Sequence, residues 1–467
     1  MFQNYFVATV VTLLSFLVIC YKETKATAKP NVVLIISDQW STRVSDGSGN
    51  YNNGIQTPSI DRLATEGIRL TQSYSSYPLC SPARASFFTG LYPHNHKVVK
   101  NEEQYERTKS MPDPGAVSTL GREFKKAGYE TAYFGKEHAA NYGWEGIEKF
   151  GSMKYSSGGM LAEGSAYDQI FTKDAVEFIK QPHDKPFYMT LSLINPHDIC
   201  KVLGGKVKGA TFADAIHFCR DDEELYLRFQ QRPGAPSNHN SPYIKGMIRD
   251  KDYMYEEVLN QNENDWKRYI SAYYLLIEKT DWYIGLVMDA LLQSGLEENT
   301  IVVFTTDHGD MMGSHKLIAK TTFYEESAKT MMIIRYPGKI KAGTVDDKSL
   351  VGSIDLMPTL LDMSDLNIPE NLDGKSFKSR CYGKNGSDFS ILYSVNANGR
   401  MVRFGQYKYV HSEVYGKEYE ILFDLGEDPG ETTNVFSNPD YNEVSMQGRK
   451  LLNKWMQKEN IGLTFIN

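Results

Sequence analysis

The stretch Asn31-Val32-Val33-Leu34-Ile35-Ile36-Ser37-Asp38-Gln39 decides the fold. Its apolar residues run without alternation, the pattern of a short strand buried on both faces, and such strands belong to parallel sheets. The run ends in a polar pair, Asp38-Gln39. The same grammar recurs three times: Tyr129 to Phe134 leads into Gly135-Lys136-Glu137-His138, Phe187 to Ile194 into Asn195-Pro196-His197-Asp198, and Thr300 to Thr306 into Asp307-His308-Gly309-Asp310. Another buried run spans Met331 to Tyr336. Helical segments lie between. Thr57-Pro58 suits a helix start and Gly67 its end, while Val117, Leu120, Phe124 and Ala127 share a helical face closed by Gly128. A long helix around Trp266 to Leu292 feeds the strand at Thr300. This alternation predicts an α/β fold, a large mostly parallel sheet sandwiched by helices. Parallel strands end on one edge, where open α/β folds bind ligands, so the four polar blocks converge on one cleft.

Beyond about Asn371 the texture changes. Short alternating stretches at Met401 to Phe404, Tyr407 to His411 and Glu420 to Phe423 precede a helix from about Asn442 to Lys458. They predict a smaller C-terminal α+β domain, an antiparallel sheet plus helix. The expected division is a leader at 1–28, a catalytic α/β domain at 29–370 and the α+β domain at 371–467. Leu203 to Tyr253 is polar and loop-rich, a surface insertion expected to border the cleft.

Composition sets outer limits. The 467 residues carry 51 Lys+Arg against 58 Asp+Glu, a net charge of -7, and are 41% hydrophobic, which suits a globular chain and excludes a disordered or collagen-like one. An acidic excess argues against a general nucleic-acid binder. Phe6 to Cys20 is almost wholly apolar, the length of a signal-peptide core and short for a bilayer span. Ala26-Thr27-Ala28 supplies small residues for cleavage before Lys29, so export to the periplasm or outside is expected. Two alternatives stay open, a lipoprotein anchored through Cys20 and an uncleaved membrane anchor. Five cysteines do not make a disulfide scaffold. Cys200 and Cys219 bracket one insertion-like loop and can pair, whereas Cys381 reads as a buried, inert thiol.

The segment Pro78-Leu79-Cys80-Ser81-Pro82-Ala83-Arg84-Ala85-Ser86-Phe87-Phe88-Thr89-Gly90 carries the chemistry. Pro82 suits the first turn of a helix and Gly90 its end, which puts Cys80 at the N-terminus, where free N–H groups favour an anion. Arg84 lies one turn on, on the same face. All thirteen positions resemble the signature of the type I sulfatases, in the alkaline phosphatase superfamily.

That resemblance implies conversion of Cys80 to formylglycine by a formylglycine-generating enzyme, with Arg84 stabilising its hydrate. It implies a divalent cation, Ca2+, held by Asp38, Gln39, Asp307, His308 and the modified Cys80. Lys136 and His138 match the family's G-K-x-H block, with Glu137 where an aromatic is common, and His197 matches the histidine after the third strand. Lys320 matches the second sulfate-binding lysine, with Lys316 as the competing assignment. Roles follow by likeness: Lys136 and Lys320 hold sulfate oxygens, His197 is the general acid and His138 the base that frees sulfate. Asp198 either accepts from sugar hydroxyls or caps a turn. Residues 422–434 resemble the family's C-terminal block. The implied function is removal of sulfate from a sulfated carbohydrate, polysaccharide-derived, with no nucleic acid and no stable protein partner. The alternatives are a phosphonate or phosphate diester hydrolase, an aryl or choline sulfatase, and a non-catalytic carbohydrate-binding relative.

Overall fold

The computed structural model describes residues 29–49, 54–108, 110–155, 163–201, 234–248, 263–384 and 386–463. The expected leader at 1–28 with Cys20, most of the Leu203 to Tyr253 insertion, and Cys219 lie outside the described residues. Cys200 is a free thiol, and Cys381 is free and buried.

The run at Asn31 forms β1 (Asn31–Asp38), all eight residues buried, at the centre of an eight-stranded sheet. It pairs in parallel with β6 (Phe187–Pro196) on one side and β7 (Thr300–Thr306) on the other. Beyond β6 come β4 (Glu130–Gly135) and the two-residue β5 (Lys149–Phe150), also parallel. Beyond β7 comes β9 (Met332–Arg335), which runs antiparallel, and then β2 (Ile68–Leu70) and β10 (Thr344–Asp346). The sheet is therefore mixed but mostly parallel, as the unbroken apolar runs require. A small sheet of β11 (Val351–Gly352), β3 (Ser73–Tyr74) and β8 (Lys329–Thr330) lies apart.

Helices cover both faces. The helices of at least seven residues are α1 (Pro58–Glu66), α2 (Cys80–Thr89), α3 (Glu102–Thr108), α4 (Leu120–Lys126), α5 (Glu163–Lys180), α6 (Glu263–Gln293), α7 (Leu356–Met363) and α8 (Asn442–Glu459), among the described residues. Val33 and Ile35 of β1 pack with residues of α1, α5 and α6, whereas Val32, Leu34 and Ile36 pack with residues of α2, α4 and α7. Two separate apolar clusters on one strand are what alternation of side chains across a doubly covered sheet produces. None of the described helices is long and apolar enough to cross a membrane.

The C-terminal sheet is antiparallel, in the order β12 (Ile391–Val395), β13 (Gly399–Phe404), β14 (Tyr407–Val414) and β15 (Lys417–Asp424). Alternation again divides its faces. Met401, Val410, Ile421 and Phe423 meet Tyr74, Phe323 and Tyr324, while Val402, Tyr409 and Leu422 pack beneath Leu452 and Trp455 of α8. Lys408 is buried where the two sheets meet. Its Nζ lies 2.7 Å from Glu431 Oε1, from Glu325 Oε1 and from the Phe323 carbonyl. Removing it strands the buried carboxylate of Glu431 and takes a cation from the half-buried Glu325, so Lys408→Ala is expected to cost about 3–5 kcal/mol in denaturant unfolding.

Candidate active site

Side chains from the ends of β1, β4, β6 and β7 meet the first turn of α2. That helix is buried along all ten residues and ends at Gly90, which adopts φ 67. Its start is capped from a distance, because Leu79 offers no polar side chain; Ser81 N–H donates to Asn101 Oδ1 at 3.3 Å instead. Cys80 thus opens a buried helix end that favours negative charge.

Cys80 Sγ lies 3.3 Å from His308 Nε2 and 3.7 Å from Asp38 Oδ1. His308 Nε2 is in turn 3.6 Å from Asp307 Oδ1 and 3.9 Å from Asp38 Oδ1. One donor atom from each of Asp38, Cys80, Asp307 and His308 falls within 4.8 Å of the others, all of them buried, so the group can hold a metal ion. His308 Nδ1 donates to the Gly309 carbonyl at 2.9 Å, which leaves the Nε2 lone pair facing the cluster. Burial lowers the His308 pKa despite the opposing Asp307, so the ring is neutral, the form that ligates.

Arg84 joins the strand ends. Its Nε donates to Asp307 Oδ2 at 2.8 Å, Nη2 to Asp38 Oδ2 at 3.1 Å, and Nη1 to the Lys136 carbonyl at 3.1 Å and Ser192 Oγ at 2.7 Å. Lys136 Nζ donates to the same Asp38 Oδ2 at 2.7 Å. Burial by itself would raise the Asp38 carboxyl, but Lys136 and the other cations outweigh it and hold Asp38 well below the usual range. Lys320 is buried too and donates to Gln39 Oε1; Cys80, Cys200 and Asp38 raise its pKa against the effect of burial. Lys316 is only half-buried, so of the two lysines it is Lys320 that enters the cluster.

Gln39 points sideways. Its backbone sits at φ 68, its N–H donates to Asp307 Oδ1 at 3.0 Å, and its side-chain Nε2 donates to Asp310 Oδ2 at 2.5 Å. With Oε1 taken by Lys320, it braces the cluster from the flank. His138 also has a left-handed backbone, φ 44, and its Nε2 lies 3.1 Å from Glu103 Oε1. His197 is buried, and its Nδ1 has no hydrogen-bond partner among the described residues. Burial and the nearby Lys320 and Lys136 push its pKa well down. Asp198 turns away. Its oxygens accept from Gly164 N at 3.2 Å and Ser165 N at 2.7 Å, capping α5, so of its two expected roles the cap is the one its contacts describe.

Nothing in the sequence singles out Ser192 or Glu103, which meet the expected residues only through the fold, and Asp310 stands in the fourth polar block with its partners Gln39 and Tyr269 set by folding. Gly135 was quoted but its role was not: it has φ 106, and a Cβ there would come within 2.0 Å of the Ser192 carbonyl, so only glycine lets β4 close on β6 before Lys136.

A mostly parallel sheet with a buried cysteine, two carboxylates, an imidazole and three cations at its carboxyl edge suits the hydrolysis of tetrahedral oxyanion esters. The Sulfatase family profile matches residues 30–366, and the N-sulphoglucosamine sulphohydrolase C-terminal profile matches residues 313–458. The chain belongs to the sulfatase family and is a sulfuric ester hydrolase. It is 28% identical over 456 residues to a Delta 4,5-hexuronate-2-O-sulfatase of Bacteroides thetaiotaomicron, covering 95% of this chain and 92% of that protein. A choline-sulfatase of Rhizobium meliloti is 27% identical over 88% of this chain and 83% of its own. Among solved structures, a 2-O GAG sulfatase superposes with TM-score 0.78 at 26% identity, covering 94% of this chain and 95% of its own.

Beneath His138, Glu137 Oε2 accepts from Ala139 N at 3.0 Å and Oε1 from Gly143 N at 2.8 Å, while Glu102 accepts from Ala140 N. Burial and the facing Glu102 push Glu137 up to about 7. A carboxyl raised on folding takes up a proton, so its contribution to stability is whole at low pH and is lost as pH rises from the unfolded value of about 4.3 towards 7. The thermal midpoint of Glu137→Gln relative to wild type is therefore expected to improve across that window and to level off above it.

Proposed function

We propose that this sulfatase removes sulfate from sulfated carbohydrates, with Cys80 converted to formylglycine as the source of the nucleophile. The observation that carries the reading is the meeting of Cys80, at the N-terminus of α2, with Arg84, Lys136 and Lys320 in one buried cluster. Sulfate-ester cleavage needs a nucleophile at sulfur, neutralised sulfate oxygens and a proton for the departing alcohol. A hydroxyl of the hydrated residue at position 80 supplies the first. Lys136 and Lys320 supply the second, and Arg84 keeps both carboxylates turned to the cluster. His197 is the acid: burial and the repulsion from Lys320 and Lys136 lower its affinity for a proton in the free protein, and the arriving anion offsets that repulsion. His138 takes the proton of the remaining hydroxyl, so that sulfate leaves and the aldehyde returns.

Two carboxylates, a neutral imidazole and the residue at position 80 fit a hard divalent cation, and Ca2+ is the ion proposed. Such an ion adds positive charge that favours the ionised nucleophile. Gln39 completes the set if its amide oxygen turns from Lys320. With free Ca2+ at about 100 times its dissociation constant, the chelated protein should gain about 2.7 kcal/mol of stability, and Asp38→Asn should gain none.

The hexuronate and GAG sulfatases support a carbohydrate substrate, and the choline-sulfatase keeps a small sulfate ester as the second reading. A maturing enzyme is the partner this chemistry needs, and the apolar run at Phe6 to Cys20 supports export, with the lipid anchor at Cys20 decided by the mass of the native N-terminal peptide. Protein whose Cys80 has lost its sulfur by mass spectrometry is expected to desulfate members of a panel of sulfated saccharides. Cys80→Ala should lower kcat by about 10³-fold or more. Matured protein that cleaves choline sulfate but no saccharide would move the assignment to the second reading.

A further inference from the structure

The end of β6 departs from its ladder just before His197. In register with β1, Ser37 faces Leu193, but the next residue, Asp38, faces Pro196, so Ile194 and Asn195 have no counterpart on β1. On the other side the pairing with β4 stops at Ser192. The two residues form a bulge, and bulges beside active sites re-aim the chain that follows. Both are buried, so their N–H groups need partners from outside the sheet. Asp168, fully buried on α5, accepts from both: Oδ1 from Ile194 N at 2.7 Å and Oδ2 from Asn195 N at 2.9 Å. From the β1 side, Ser37 Oγ donates to the Asn195 carbonyl at 2.8 Å. Beyond the bulge the contact is returned, because Asp198 caps the first turn of α5 through Gly164 and Ser165. His197 stands between these two anchored stretches, one residue past the partner of Asp38.

We propose that Asp168 is a positioning residue for His197, holding the bulge that presents this ring to the cluster around Cys80. Resting on the function proposed above, Asp168 acts in the first half of the reaction. There the hydrate oxygen bonds to sulfur, the bond from sulfur to the sugar oxygen breaks with its pair going to that oxygen, and His197 gives the oxygen its proton. Asp168 touches no reacting atom. Each of its oxygens keeps a lone pair for its N–H with or without a proton on the carboxyl, so the brace does not turn on charge. Asp168→Asn keeps the shape but sets an amide NH2 against one of the two backbone N–H groups, and the bulge must shift. A displacement of about 1 Å at a reacting group costs up to about 100-fold in rate. The loss falls on substrates that need the acid: a sugar alkoxide leaves poorly, whereas a nitrophenolate departs without a proton.

The test uses full-length protein with converted Cys80, assayed on a sulfated saccharide that the wild type cleaves and on nitrophenyl sulfate. Asp168→Asn is expected to lower kcat on the saccharide about 10–100-fold, with KM and the rate on nitrophenyl sulfate within about threefold of wild type. His197→Ala should show the same preference, and in that background Asp168→Asn should cost nothing further on the saccharide. Ser37→Ala removes a neutral bond from the same bulge. It should repeat the pattern at about 3–10-fold, and it carries the test where Asp168→Asn melts below the assay temperature. Equal losses on both substrates overturn the role of Asp168, as does a saccharide kcat within about twofold of wild type, or a full additional loss on top of His197→Ala. A His197→Ala protein that keeps its rate on the saccharide overturns the acid named above, and converted wild-type protein that cleaves no saccharide overturns the proposed function; either result takes the role of Asp168 with it.

Discussion

The buried guanidinium of Arg84 is the constraint around which the rest is arranged. A charge wholly out of water persists only when each donor has a partner, and stranding one costs several kcal/mol. Arg84 finds its partners on four different strands, Asp38 as the last residue of β1, Lys136 just after β4, Ser192 within β6 and Asp307 just after β7. The helix that carries it is thereby pinned to the centre of the sheet. One consequence is chemical. By occupying Oδ2 of both carboxylates, Arg84 turns their Oδ1 atoms towards Cys80 and His308. The donor set for a cation and the position of the nucleophile thus follow from satisfying one buried charge.

Net charge proves a poor guide to this cleft. A chain with seven more acids than bases brings Arg84, Lys136 and Lys320 together over Asp38 and Asp307. In a dry site these cations act on one another and on their neighbours with little screening, which holds Asp38 ionised and adds to the burial that keeps His197 neutral. Local field and global charge have opposite signs, and the local one meets the substrate.

Much of the large sheet was legible because its central strands are continuous apolar runs; β1, β6 and β7 are recognisable from residues such as Val32 to Ile36 and Thr300 to Thr306 alone. The polar blocks that follow them could be placed on one edge from topology. Three-residue strands such as β2 and β10 carry too few residues to show a period. Helix α5 was not read, although its buried Asp168, Phe171, Thr172, Ala175, Phe178 and Ile179 do follow a helical spacing. The site divides the same way. Cys80 and Arg84 are visible as neighbours one turn apart, but the sideways turn of Gln39, the capping role of Asp198 and the pairing of Glu103 with His138 depend on residues brought close only by folding.

The central claim is that a sulfate ester binds at the N-terminus of α2, between Lys136 and Lys320. Its most direct test is a crystal structure of Cys80→Ser with a sulfated disaccharide and Ca2+. The account predicts the sulfate group beside residue 80, its oxygens on Lys136 and Lys320, its ester oxygen facing His197, and a cation among Asp38, Asp307 and His308. Sulfate seated away from these residues, with the cluster around Arg84 left unengaged, would contradict it.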